Sequence, residues 1–296
     1  MKIAIYSQYY KGNEASFGVL LNYLLQKDSE VFIEDHIYQI IDKHLDLKNK
    51  FNTFEKFQTL DESFDLLISI GGDGTILRAI TYVSDLFIPI IGINTGRLGF
   101  LATIQNNQIE NALDSIFEGD YKISERSLLC IETQPNNKDL TQLNFALNEI
   151  AISRKNTTSM ITVQTHLNGE YLTSYWADGL IVSTPTGSTG YSLSCGGPVI
   201  SPDAKSFVIT PIAPHNLSAR PLVIPDDTEI KLKVDGREDF YLISLDSRIA
   251  TLHNSTIVTL KKADFKIKMI ELPSESFIDT LRKKLLWGED KRNKTS

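Results

Sequence analysis

The spacing of apolar positions changes its period once along this chain, and that change divides it. The opening run "KIAIYS" reads as a short buried strand. "ASFGVLLNYLLQKD" then places Phe17, Leu20, Leu21, Leu24 and Leu25 at helical spacing. "VFIED" reads as a second strand, and the polar stretch "KHLDLKNKFNTFEKF" as either a helix or a loop. "FDLLISI" is a third strand, "GTILRAITYVSD" opens as a helix, and "IPIIGIN" is a fourth strand. Strand and helix in alternation imply an α/β domain built on a doubly wound, mostly parallel sheet.

After about residue 102 the pattern changes. "NNQIENALDSIFEGD" is one more helix, ending at Gly119. From residue 121 to about residue 270 the signals are mainly strands: "SLLCIETQ", "FALNEIAIS", "MITVQTHL", "EYLTSYWADGLIVS", "EIKLKV" and "IVTLKK". Asn168-Gly169 carries a hairpin signal. The tail "SESFIDTLRKKLLW" returns to helical spacing, with Phe277, Leu281 and Leu285 on one face that packs back on the first domain. The expectation is an α/β domain over residues 1–102 plus about 272–296, and a larger β-rich, two-sheet domain over residues 103–271.

Composition narrows the function classes. A net charge of −7 over 296 residues argues against a general nucleic-acid binder, which needs surplus Lys and Arg. The two cysteines, Cys130 and Cys195, make no disulfide framework and suit a reducing, cytoplasmic setting. The opening apolar run is too short for a signal peptide, and no stretch approaches the roughly 20 apolar residues of a membrane span. Lys283-Lys284 reads as part of a solvated helix face rather than a membrane patch. Neither a membrane nor a nucleic acid is expected as a partner. His36, His44, His166, His215 and His253 are scattered without metal-ligand spacing, so no protein metal site is expected.

The candidate chemistry sits where the third strand empties into "GGDGT". Ligands of open parallel sheets bind beyond the carboxyl ends of strands, where Gly71, Gly72, Asp73, Gly74 and Thr75 stand. Glycines let a ligand approach the backbone, and a helix N-terminus favours an anion such as phosphate. Arg78 lies one turn into the helix and is a candidate for the same anion. Neither the spacing of a lysine-bearing phosphate loop nor that of a dinucleotide loop is present. Asp73 is either a general base, taking the proton of a hydroxyl that attacks a phosphoryl group, or a plain helix cap.

Three further stretches carry polar chemistry. "NTGRLGFLA" holds Gly96 and Gly99 after a strand and is either a second phosphate-facing loop with Arg97 or a turn between domains. Asn148 and Glu149 are adjacent polar residues before an apolar strand, suited to ribose hydroxyls or merely to water. "STPTGSTGYS" gathers Ser183, Thr184, Thr186, Ser188, Thr189 and Ser192 around Gly187 and Gly190. It is a neutral loop with the Tyr191 ring, suited to a purine and ribose, or else a hydroxyl-rich surface turn.

Taken together these stretches resemble the NAD kinase family. "GGDGT" alone is shared with lipid kinases and, with Ser, with 6-phosphofructokinases. "INTGRLGFLA", "NEIAISR", "ADGLIVSTPTGSTGYSLSCGGPVISP" and "PIAPHNLSARPLVIP" follow in the order of the NAD kinase motifs through nearly the whole chain. The resemblance implies transfer of a phosphoryl group from ATP, or from another donor such as polyphosphate, to the 2′-hydroxyl of the adenosine ribose of NAD. It makes Asp73 the base and lines the NAD pocket with Asp73, Gly74, Arg78, Asn148, Glu149 and Asp178. It adds the run Thr189, Gly190, Tyr191, Ser192, Leu193 and Ser194, and gives Gly71, Gly72, Gly74 and Thr75 to phosphate. It further implies a divalent cation, Mg²⁺, held mainly by donor phosphates, and a homodimer or homotetramer whose pocket a neighbouring subunit completes.

Departures from the family pattern are Gly190 where Ala is common and Trp176 where a basic residue is common. Arg237 in "VDGRED" stands where Gln is common, and either binds phosphate or faces solvent. The rival readings are a lipid kinase and a noncatalytic NADP sensor.

Overall fold

A computed structural model describes residues 1–41, 54–156 and 159–287. Most of the polar stretch expected as helix or loop, from residue 43 to residue 53, lies outside the described residues. The chain divides into two compact units, residues 1–125 with 267–296, and residues 126–266.

The first unit is the doubly wound domain. Its strands are β1 (Lys2–Ser7), β2 (Glu30–Glu34), β3 (Glu55–Phe57), β4 (Leu66–Gly71) and β5 (Ile90–Asn94). They run parallel in the spatial order β5-β4-β1-β2-β3. The chain therefore winds outward from β1 to β3 and then returns to the other side of β1, so a switch point lies between β1 and β4. Strands β4 and β5 are buried along their whole lengths, as expected for a sheet covered on both faces. The helix Glu14–Leu24 buries Phe17, Leu20, Leu21 and Leu24, while Leu25 lies beyond its end and is exposed.

This unit reaches past the expected boundary at residue 102. The helix Ile109–Glu118 buries Ile109, Ala112, Leu113 and Ile116 in the same core as Phe17 and Leu20. At its end Phe117 meets the Tyr23 ring. Apolar spacing marks this segment as a helix but not the core it joins. From the other end of the chain, Met269 pairs with Ile90 of β5, and the helix Phe277–Leu285 buries Leu281. Ser276 caps that helix by accepting from the Asp279 N–H (3.0 Å).

The second unit is antiparallel and has two sheets. One has six strands, in the order Leu222–Pro225, Ser206–Ile212, Gly179–Ser183, Glu149–Arg154, Phe240–Leu245 and Arg248–His253. The other orders Glu170–Ala177, Ile161–Leu167, Ile230–Gly236 and the first part of Ile257–Glu271. Asn168 and Gly169 both take positive φ (49° and 85°) and close the expected hairpin. "EYLTSYWADGLIVS" is two strands broken at Asp178, and "FALNEIAIS" is broken at Leu147 and Asn148. Both breaks fall at candidate site residues.

One buried group in this core has no partner. Tyr241 is fully buried and its hydroxyl bonds nothing among the described residues. Burial pushes the phenol above its ordinary pKa. An unpaired buried hydroxyl forfeits its hydration without return. Tyr241→Phe should therefore raise stability by about 1 kcal/mol. Urea denaturation measures this, and a lower midpoint in the variant would contradict it.

Candidate active site

In the first unit the site is built at the switch point. Ser7, at the end of β1, donates from Oγ to the Ile70 carbonyl of β4 (2.7 Å) and so ties the two strand ends together. Gly71 then turns with φ +151°, and a Cβ there would stand 2.2 Å from Thr75 Oγ1. Gly72 and Gly74 are exposed, and Gly72 precedes the helix Asp73–Val83. The Thr75 N–H at that helix start bonds the Gly72 carbonyl (2.9 Å), and a helix start favours an anion such as phosphate. Arg78 is exposed and lies near Tyr6. Five residues along a helix is about 140° of rotation, so Arg78 does not share Asp73's face.

Asp73 does not cap its own helix. Its carboxylate reaches the loop after β5, where Oδ2 accepts from Phe100 N–H (2.8 Å) and Oδ1 from Leu101 and Ala102 N–H (3.0 and 2.9 Å). The glycine between is required by contact, because a Cβ on Gly99 would lie 1.9 Å from Asp73 Oδ1. Asn94 shapes the same loop by accepting from Gly96 N–H and donating to the Arg97 and Ala102 carbonyls. The loop that reads in sequence as phosphate-facing thus turns the amides of residues 100–102 toward a carboxylate of its own chain. A carboxylate has about four lone-pair sites, so three accepted bonds leave one, on Oδ2.

The second unit carries a different cluster. The hydroxyls of "STPTGSTGYS" point inward rather than toward a ligand. Thr184 Oγ1 donates to the Leu147 carbonyl (2.5 Å) and accepts from Gly187 N–H (3.1 Å). Ser188 Oγ donates to the Pro185 carbonyl (2.7 Å), Thr189 Oγ1 to the Thr186 carbonyl (3.2 Å), and Ser192 pairs with Thr210 (2.8 Å). Ser and Thr in a tight turn find backbone carbonyls within reach, and here these bonds brace the loop. Gly187 lets it press onto Asn148, whose carbonyl oxygen would be 2.0 Å from an added Cβ. Left facing outward are the Tyr191 side chain, 46% exposed, and the edges of Thr189 and Gly190. Leu193 is partly buried and Ser194 exposed.

Against this braced loop stand two unsatisfied acceptors. Asn148 Oδ1 and Glu149 Oε2 are buried and bond nothing among the described residues. Glu149 is only 9% exposed. Its pKa is pushed up to about 7, first by burial and then by the nearby Asp246 charge, against a bond from the Tyr191 backbone N–H. Buried polar atoms are rarely left unpaired, so a pair of them facing one loop marks a place for hydrogen-bond donors. Ribose hydroxyls or an exocyclic amine supply such donors.

Other candidates are placed differently. Asp178 is paired with Arg154 (3.0 Å), and Trp176 packs on the His215 ring (4.4 Å) in place of a cation. Asp235, Gly236 and Arg237 are exposed at a strand end. Burial raises the thiols of both Cys130 and Cys195, and Asn144 Nδ2 donates to Cys130 Sγ (3.0 Å). A residue that the sequence reading missed is Asp246, whose carboxylate accepts from the backbone N–H groups of Leu147, Asn148 and Glu149. An isolated acid in "ISLDSRI" carries no local pattern that announces this.

A glycine turn carrying an acid at a strand end of a doubly wound sheet, together with a braced loop beside two unpaired buried acceptors, is the kind of site a nucleotide kinase has. The ATP-NAD kinase N-terminal domain matches residues 18–121, and the ATP-NAD kinase C-terminal domain matches residues 147–272. The NAD kinase of Christiangramia forsetii is 60% identical over 99% of this chain and all of its own length. That of Flavobacterium psychrophilum is 58% identical with the same coverage. The chain belongs to the NAD kinase family. Among solved structures, an NAD kinase from Archaeoglobus fulgidus in complex with ATP superposes with a TM-score of 0.74 at 26% identity, covering 97% of this chain and 99% of that one. Yeast NADH kinase complexed with NADH shares the fold, with a TM-score of 0.84 at 23% identity over 98% of this chain and 88% of that one.

Proposed function

We propose that this chain transfers a phosphoryl group from ATP, or another phosphoryl donor, to the 2′-hydroxyl of the adenosine ribose of NAD, giving NADP. The ribose oxygen forms the new bond to phosphorus, the bond from phosphorus to the donor's leaving oxygen breaks, and the hydroxyl proton passes to Asp73. The observation that carries this reading is the unpartnered buried pair Asn148 Oδ1 and Glu149 Oε2, waiting for donors such as ribose hydroxyls in a chain of this family. Asp73 serves as base through its remaining Oδ2 lone pair, and Gly71, Gly72, Gly74 and Thr75 receive phosphate. Little covalent chemistry falls to the protein in such a transfer, which depends on placement and charge neutralisation.

A divalent cation, Mg²⁺, supplies part of that neutralisation on the donor phosphates. Among the described residues no three His, Cys, Asp or Glu converge. We further propose a cytoplasmic homodimer or homotetramer. Supporting assembly, the edge strand Leu222–Pro225 exposes Leu222 and Val223, and Leu217 nearby is 92% exposed. No helix among the described residues is long and apolar enough to cross a membrane.

The test is a matrix of donors (ATP, polyphosphate) against acceptors (NAD, NADH, diacylglycerol, sphingosine) with the purified chain. Phosphorylation of NAD or NADH is expected. Transfer to a lipid alone, or binding of NADP without turnover under any donor, would overturn the reading.

A further inference from the structure

We propose that Asp246 is a positioning residue for the nucleotide: it fixes the Asn148–Glu149 corner through the backbone, so that both side-chain acceptors stand ready before the ligand arrives. The proposal rests on the reading that this corner binds NAD.

Asp246 occupies the turn between strands Phe240–Leu245 and Arg248–His253 and takes φ +52°, uncommon for a residue with a side chain. Oδ1 accepts from Asn148 N–H (2.8 Å) and Glu149 N–H (3.2 Å), and Oδ2 from Leu147 N–H (3.0 Å). The Asp246 N–H donates back to the Glu149 carbonyl (3.0 Å). Two residues on, the Arg248 guanidinium donates to the Leu143 carbonyl (2.6 Å) and to the Phe145 carbonyl. One turn thus grips the segment from Leu143 to Glu149.

The opposite side of the corner is held as firmly. Thr184 Oγ1 donates to the Leu147 carbonyl and Thr184 N–H to the Asn148 carbonyl (2.9 Å). Every main-chain group from residue 147 to the Glu149 N–H is engaged, and only the two side-chain acceptors are left over. A site held this way loses little freedom on binding, which is what preorganisation means.

Asp246 acts on Glu149 in a second way, through charge. The groups facing Glu149 are Asp246 from this turn and Tyr191 and Cys195 from the braced loop. Arg248 faces Asp246. Burial raises Tyr191 and Cys195 above their ordinary values, so both stay neutral near pH 7. Burial also pushes the Asp246 carboxyl up, against three N–H donors and the Arg248 charge. Those three donors and the Arg248 charge favour the ionised form of Asp246 against that burial. Removing that charge should let Glu149 ionise at lower pH.

The experiment measures NAD affinity by calorimetry from pH 5.5 to 9 for the wild type, Asp246→Asn and Glu149→Gln, together with amide hydrogen exchange on the wild type. Wild-type affinity should rise with pH through a midpoint near 7, as Glu149 becomes the better acceptor. Glu149→Gln should abolish that inflection. Asp246→Asn should weaken binding by about tenfold or more and move the midpoint down, a change that mere loosening would not produce. Equal affinity with an unmoved midpoint in a folded Asp246→Asn overturns the positioning role. Where Asp246→Asn does not fold, the wild type decides: the amides of Leu147, Asn148 and Glu149 should exchange as slowly as the core strands, and rapid exchange overturns the proposal. A wild type that binds no NAD while those amides stay protected would sink the NAD reading and leave the clamp standing.

Discussion

Asp73→Asn should lower turnover by about 10²–10⁴, a barrier increase of roughly 3–5 kcal/mol. The amide keeps the shape of the carboxylate and cannot take a proton. It also costs stability, because the three N–H donors of residues 100–102 converge on Asp73. An Asn oxygen placed as Oδ1 still accepts from Leu101 and Ala102, but its NH₂ then faces the Phe100 N–H. One hydrogen bond to a charged group is lost, worth about 1.5–3 kcal/mol. The melting temperature should therefore fall as well, and turnover must be read well below it. Gly99→Ala separates the acid from its role as a clamp. Its Cβ would stand 1.9 Å from Asp73 Oδ1, so the carboxylate or the loop must shift while the proton-accepting group itself is kept. Turnover in Gly99→Ala should exceed that of Asp73→Asn by at least tenfold. Near-normal turnover in folded Asp73→Asn would remove Asp73 as the base.

What local spacing encodes was legible in the sequence. The helix Glu14–Leu24, the strand Leu66–Gly71 and the hairpin at Asn168-Gly169 all follow from periodicity or turn chemistry within a few residues. What depends on distant partners was not. The helix Ile109–Glu118 reads as amphipathic, but only the fold seats it beside Phe17. Asp73 meets amides 27 to 29 residues away, and Asp246 meets amides 97 to 99 residues away. Neither separation leaves a periodic trace. The hydroxyls of "STPTGSTGYS" mislead for a related reason. Composition shows that Ser and Thr can bond a ligand, but only the loop's path shows that Thr184 and Ser188 already bond the protein.

Glu149→Gln should make the free protein more stable and the enzyme worse, and the stability gain should depend on pH. The Glu149 pKa is about 7 in the folded chain against an ordinary 4.5. A carboxyl raised on folding binds its proton more tightly in the native state than in the unfolded one. Its favourable contribution is complete below pH 4.5 and is lost as pH rises through 7. The shift of about 2.5 units corresponds to a penalty of roughly 3 kcal/mol above that window. Gln does not titrate, so the stability gap between variant and wild type should be near zero at pH 4.5 and widen to pH 8. Using the difference cancels the other carboxylates, which titrate alike in both. The cost appears on binding: a neutral amide replaces a charged acceptor for a ribose hydroxyl, and a hydrogen bond to a charged group is worth about 1.5–3 kcal/mol. NAD affinity at pH 8 should fall by roughly ten- to hundredfold. Thermal melts across pH 4.5–8, with and without saturating NAD, test both halves. A gap that stays constant with pH would show that Glu149 is not held protonated by its burial, and unchanged NAD affinity would show that its free oxygen does not meet the ligand.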